Sequence, residues 1–126
     1  MESISLEDLK EFLKSNKFEL QPTQKRLCFP IIKRIYSKMA IGVVFENINV
    51  CDLLLINGHH RYICSLLLQK TIGRNPWEIS SQITTYQWAE INIDSKDWEL
   101  PEIISRHNEK DAIRNSMDIR LFEGLT

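Results

Sequence analysis

Apolar and polar residues follow two periods along this chain, and the places where the period changes predict its elements. Leu6, Leu9 and Leu13, with Phe12 alongside, form a stripe that predicts a helix over Leu6–Ser15. Ser5 precedes it as N-cap, with Asp8 three residues on. This helix is expected to be a packing element or a lid. Phe18, Glu19 and Leu20 are extended in pattern and stop at Gln21-Pro22, since proline biases the residue before it away from helical angles. A short strand is therefore predicted to lead into the polar turn Pro22-Thr23-Gln24. Proline is easy at the start of a helix and costly inside one, so the next helix is expected to begin at Pro30, with residues 25–29 as a lead-in turn. Ile31, Ile32, Ile35 and Met39 would face inward, Lys33, Arg34 and Lys38 outward, and Gly42 would mark the end.

Ile48, Asn49 and Val50 alternate, and residues 53–56 are continuously apolar, so the two runs are predicted to pair as an antiparallel hairpin about Cys51-Asp52. The second run stops at Asn57-Gly58, and His59-His60-Arg61 opens another apolar stretch. That order predicts strand, tight turn and helix, with two histidines and an arginine at the helix N-terminus. The helix is expected to run through residues 62–71, with Lys70 covering apolar surface while its ammonium reaches water; Gly73 would close it and Arg74-Asn75-Pro76 would turn. Residues 83–86 and 88–93 alternate well enough for one or two strands, and residues 94–97 read as a turn. From Pro101 the pattern is helical, with Ile103 and Ile104 inward; Asn108 is read as a second cap, ahead of Ala112, Ile113 and Met117. Trp77, Trp88 and Trp98 are expected in walls and core rather than in a stacking platform.

Composition narrows the class. The chain has 126 residues, 43% of them hydrophobic and 26% charged, which describes one globular domain. Its formal charge is -1, from 16 basic and 17 acidic residues, so no global field steers it to nucleic acid. Lys25, Arg26, Lys33, Arg34 and Lys38 gather in one segment and are read either as a local basic patch or as the charge that solvated helix faces commonly carry. Cys28, Cys51 and Cys64 are odd in number, lack Cys-x-x-Cys spacing and sit among apolar neighbours, as reduced intracellular thiols do. The acidic start has no signal-like core, and no apolar run approaches the roughly 20 residues that span a bilayer. A cytoplasmic protein without a membrane partner is expected.

The glycine turn holds the candidate chemistry. The first N–H groups of a helix lack intrahelical acceptors and, with the helix dipole, favour an anion. Arg61 adds a planar fork suited to phosphate or carboxylate, or alternatively a salt bridge to Asp or Glu; His59 and His60 titrate near neutral pH. The two histidines could contact phosphate and give acid/base help, or cap the helix with one ring buried, since neighbours on a helix diverge by about 100 degrees. Thr23 and Gln24 are either ligand-facing donors or the turn's own backbone partners. A zinc site from His59, His60 and His107 would require the C-terminal helix to fold back over the turn, and no metal site is expected. Glu90 and Asp94 could supply acid/base or Mg2+ contacts, or simply be solvated.

Leu55-Ile56-Asn57-Gly58-His59-His60-Arg61-Tyr62 resembles the box of the ParB/sulfiredoxin-like superfamily in which Asp or Asn, Gly and then His or Arg follow a strand. Leu20-Gln21-Pro22-Thr23-Gln24 resembles the strand and Pro-Thr-Gln lead-in of some ParB-like proteins, and the likeness covers about residues 18–93. It implies an α+β fold with a small mixed sheet and flanking helices, over residues 18–126 with a C-terminal helical extension, preceded by the helix in residues 1–17. It also implies a phosphate site. Gly58, His59, His60 and Arg61 would surround the phosphate with Asn57, Thr23 and Gln24 beside them, and His59 and His60 would be the candidate catalytic residues. The ligand would be a nucleotide or small phosphorylated compound, with a nucleoside triphosphate and Mg2+ as the implied cofactors, and the activity phosphotransfer or nucleotide hydrolysis. The alternatives are a non-catalytic regulatory module of antitoxin or immunity type with a protein partner, or a nucleic-acid-binding protein or nuclease, which the charge disfavours. Asn57 stands where many members have Asp, and an amide cannot serve as a carboxylate base. No Phe-Gly-Gly-Cys-His-Arg box exists, Cys64 is not its equivalent, and a segregation role is not expected at this length.

Overall fold

The computed structural model describes residues 3–79 and 81–125. Ser5 caps helix α1 (Leu6–Ser15): its Oγ accepts the Asp8 N–H at 3.0 Å, and the Asp8 carboxylate accepts the Ser5 N–H at 3.4 Å. This capping box fixes the start of the helix, and the stripe then buries Leu9 and Leu13 in the main core.

Six short strands follow: β1 (Gln21–Pro22), β2 (Arg26–Cys28), β3 (Ile48–Cys51), β4 (Leu54–Asn57), β5 (Arg74–Pro76) and β6 (Asn92–Asp94). Between and after them lie helices α2 (Phe29–Ala40), α3 (His59–Leu67) and α4 (Pro101–Arg114), with 3₁₀ turns at Trp88–Glu90 and Ile119–Phe122. The larger sheet has the order β1-β4-β3-β5 and is mixed. The β3–β4 hairpin is antiparallel, while β1 runs parallel to β4 and β5 parallel to β3. A second, two-stranded parallel sheet joins β2 to β6. This is a small α+β fold. Leu20, Leu27, Ile32, Ile48, Leu55 and Ile63 are fully buried between the sheets and helices, and each contributes roughly 1.5–3 kcal/mol by leaving water.

Several expected elements are displaced, each for a local reason. Residues 18–20 form no strand, because the backbone of Leu20 bonds to side chains: its N–H donates to the Tyr62 hydroxyl, and its carbonyl accepts from Trp88 Nε1. Pairing begins instead at Gln21, whose N–H donates to Leu53 O; Pro22, with no N–H, is tolerated because β1 is an edge strand. The lead-in at residues 25–29 contains β2, and α2 starts one residue before Pro30.

Helix α3 ends at Leu67, well before Gly73. Gln69 takes the left-handed conformation (φ 53), its N–H donates to Leu66 O, and the Lys70 N–H donates to Ser65 O. That is a Schellman closure without glycine. The Lys70 ammonium donates to Met39 O at 2.6 Å. The expected turn at Arg74-Asn75-Pro76 is strand β5. Of the alternation after Trp77 only Asn92–Asp94 is strand, and α4 is one continuous helix with Asn108 in its interior and Ile113 exposed.

The largest departure is on α2, where Arg34 and Lys38 are buried, at 8% and 3% exposure, rather than solvated. The cause lies downstream. Arg34 forms ion pairs with Asp97 (2.6 Å) and Glu99 (2.7 Å), Lys38 pairs with Asp111 (2.8 Å), and the Lys38 ammonium also lies over the Phe122 ring. These contacts bring the C-terminal segment over α2, where Val43, Ala112 and Phe122 form a satellite cluster. Among the described residues no helix is long and apolar enough to cross a membrane.

Candidate functional site

The junction between β4 and α3 depends on Gly58. Its φ is +92, and a Cβ there would stand 2.7 Å from Ile48 Cγ2 and 2.8 Å from Arg61 Nη2. Only glycine permits that approach, so the Arg61 guanidinium folds back over the turn, where Nη2 donates to Asn47 O at 3.2 Å. No side chain caps α3, and among the described hydrogen bonds the N–H groups of His59, His60 and Arg61 have no protein acceptor. These are the free donors expected at a helix start.

The two histidines are tied to backbone. His59, 2% exposed, accepts the Thr23 N–H at Nε2 (3.1 Å), while the Thr23 hydroxyl donates to Leu55 O (2.7 Å). His60 accepts the Cys28 N–H at Nε2 (2.9 Å), and its ring stands edge-on to Trp98. A ring that accepts at Nε2 carries its proton at Nδ1, so both imidazoles are neutral with a fixed tautomer. Burial pulls both down to about 4; for His60 the neighbouring His59 and Arg61 charges act in the same direction. Thr23, His59 and Leu55 thereby stitch the Pro-Thr-Gln turn to the glycine turn.

Beside the turn lies a cavity of about 500 Å³, within the size range of small-ligand sites. It is lined by Gly58, His59, His60 and Arg61 at the turn and by Gln24; Arg34 and Lys38 come from α2, and His107, Asn108, Lys110, Asp111 and Arg114 from α4. Five cationic side chains line the space against three carboxylates, Glu46, Glu99 and Asp111. Arg34, Lys38 and Arg114 have carboxylate partners, Arg114 through Glu46 at 3.2 Å, whereas Arg61 and Lys110 have none within ion-pair reach among the described residues. Burial and the nearby Arg114 charge disfavour the Arg61 cation, Glu46 opposes them, and a guanidinium remains charged in any case.

Three buried side-chain polar atoms lack a protein partner among the described residues: His59 Nδ1, Arg61 Nε and Asn108 Oδ1. All three residues line this one cavity. Each unpartnered group costs roughly 1–3 kcal/mol.

Of the residues singled out from sequence, Gln24, Gly58, His59, His60 and Arg61 meet at the cavity. Thr23 does not line it, its N–H and hydroxyl being bonded within the fold, and Asn57 is exposed on β4 away from it. His107 shares the cavity because α4 does fold back over the turn, but its Nδ1 faces Glu99 at 3.0 Å. Among the described residues no three His, Cys, Asp or Glu side chains are grouped to hold a metal. Asp94 accepts both bonds of Arg26 together with Trp98 Nε1, and neither it nor Glu90 lines the cavity.

Arg34, Lys38 and, on α4, Lys110, Asp111 and Arg114 were missed as site residues, because Arg34 and Lys38 meet carboxylates 63 to 73 positions away. The available hint was their own spacing of four, which sets them on one face beside Ile31 and Ile35. Comparisons with protein-family models, curated proteins and solved structures return no match.

Proposed function

We propose that this chain binds a nucleotide, or another small phosphorylated ligand, in the cavity at residues 58–61. What carries this reading is the clustering of unpartnered groups: two buried donors, His59 Nδ1–H and Arg61 Nε–H, belong to residues at a helix N-terminus whose first N–H groups are also free. An anion offers acceptors to donors of this kind, and Arg61 and Lys110, which have no ion-pair partner among the described residues, complement its charge. The junction of the Pro-Thr-Gln and glycine turns through Thr23 and His59 supports reading the fold as ParB/sulfiredoxin-like, since it joins the two stretches that carry the resemblance.

Binding without turnover is favoured over phosphotransfer or hydrolysis by one further observation. Both Nε2 atoms accept backbone N–H groups and both rings are held neutral, so neither is set to take a proton from a nucleophile at that atom. A regulatory or partner-directed role fits a ligand that is held and not consumed. Any Mg2+ would come with the phosphates of a triphosphate.

A thermal-shift panel of nucleoside mono-, di- and triphosphates, with and without Mg2+, tests the proposal. At a hundredfold excess over Kd a ligand stabilises by about 2.7 kcal/mol, on the order of 10 °C for a domain of this size. No shift from any phosphate compound would end the reading, and product formation in the same samples would replace the binding role with an enzymatic one.

A further inference from the structure

Arg61, Arg114 and Glu46 line not only the cavity but also an open groove of about 550 Å³ on its other side. The rest of that groove is built by the larger sheet. Parallel register sets Asn49 opposite Asn75, and strand alternation puts Asn47 and Trp77 on the same face as these two, while Ile48 points into the core. Trp77 follows directly on β5, and its N–H donates to Val50 O at 3.0 Å, so the backbone under the ring is held by the sheet. Asn47 lies flat because Gly73 has no Cβ, which would stand 2.0 Å from Asn47 Oδ1; its Nδ2 donates to Asn75 Oδ1 at 2.9 Å. An indole 49% exposed, bordered by three amides and two guanidiniums, is an unusual thing to leave in water at this spot. It is not engaged by another aromatic ring among the described residues.

We propose that the Trp77 groove is the subsite for the heterocyclic base of a nucleotide whose phosphates occupy the cavity at residues 58–61. The proposal rests on the phosphate reading above and names the ligand class. A base has a π-face for the indole and an edge of donors and acceptors for the amides of Asn49 and Asn75, and Arg61 lies between the two compartments, where the phosphates must begin. An inorganic polyphosphate would use only the cavity.

Calorimetric titrations of the whole chain with a nucleoside triphosphate, tripolyphosphate and a hexose phosphate test this. The nucleotide is expected to bind the wild type more tightly than tripolyphosphate does. Trp77→Ala should weaken the nucleotide by about 5- to 150-fold, the range that loss of one base stack implies, and leave tripolyphosphate unchanged. Trp77→Phe, which keeps a π-face, should retain most of the affinity. Since the ring is half exposed, neither change should unfold the chain, which circular dichroism checks. Equal affinities for nucleotide and tripolyphosphate, or a Trp77→Ala effect confined to the hexose phosphate, overturn the base subsite and leave the phosphate site standing. Failure of every probe to bind the wild type overturns both.

Discussion

Replacing Arg61 by alanine is expected to abolish the thermal stabilisation given by a phosphorylated ligand while leaving the unliganded protein as stable as before. Removing a guanidinium that makes two charge-assisted hydrogen bonds costs about 3 kcal/mol of binding, or roughly a hundredfold in Kd. The unchanged stability follows from what Arg61 does in the absence of ligand. Its one described bond is from Nη2 to Asn47 O at 3.2 Å, its Nε has no acceptor among the described residues, and the charges of Glu46 and Arg114 lie nearby with opposite effects. Deleting it removes an unsatisfied donor and the Arg114 repulsion together with the Glu46 attraction and a modest hydrogen bond, so losses and gains offset one another. Arg61→Lys keeps a charge but not the planar fork and should restore only part of the affinity. If Arg61 were a structural ion pair, Arg61→Ala would destabilise the fold outright; the nearest candidate, Glu46, is instead paired with Arg114.

Acid is expected to unfold this chain earlier than its carboxylates alone would dictate. His59 and His60 fall to about 4 in the folded chain, against 6.5 when exposed. The folded state therefore binds fewer protons between those values, and stability must drop as pH falls. The contribution of the two neutral rings is fully present above about 6.5 and is lost progressively as pH falls toward 4. Between pH 7 and pH 5 the pair accounts for about 4 kcal/mol. The Arg34 hydrogen bonds hold the Asp97 carboxyl below its usual range, so that ion pair fails only in more acidic solution. Urea midpoints at pH 7, 6 and 5 should fall in sequence, and the double variant His59→Gln, His60→Gln, which keeps a neutral acceptor for each backbone N–H, should flatten the trend. A wild-type midpoint constant from pH 7 to 5 would show that the rings are not held neutral.

How much of this was legible in the sequence follows from where each determinant lies. The capping box at Ser5 and Asp8, the hairpin of β3 and β4 and the glycine-turn start of α3 are decided within a few residues, and the structure has all three. The end of α3 is equally local, but it rests on Gln69 adopting a conformation that a reader assigns to glycine, so Gly73 was the wrong marker. Arg74-Asn75-Pro76 carries the residues of a turn and becomes a strand only because β3 is present to pair with it. The candidate site divides the same way. One wall of its cavity is contiguous in sequence, at Gly58 to Arg61, whereas its far wall depends on Asp97, Glu99 and Asp111 reaching Arg34 and Lys38. Basic residues on a helix read as solvated until their partners are known. The histidines show the same limit. Their types suggested acid/base chemistry, but the acceptors at Nε2 meet backbone donors from Thr23 and Cys28, 36 and 32 positions away.

The proposed oxyanion seat is the set of peptide N–H groups that follow Gly58. Backbone amide resonances recorded by two-dimensional NMR during titration with a nucleoside triphosphate test it most directly. His59, His60 and Arg61 are expected to show the largest shifts, with the Arg61 Nε–H resonance moving alongside them. Shifts centred on another part of the chain, with these amides unmoved at saturation, would contradict it.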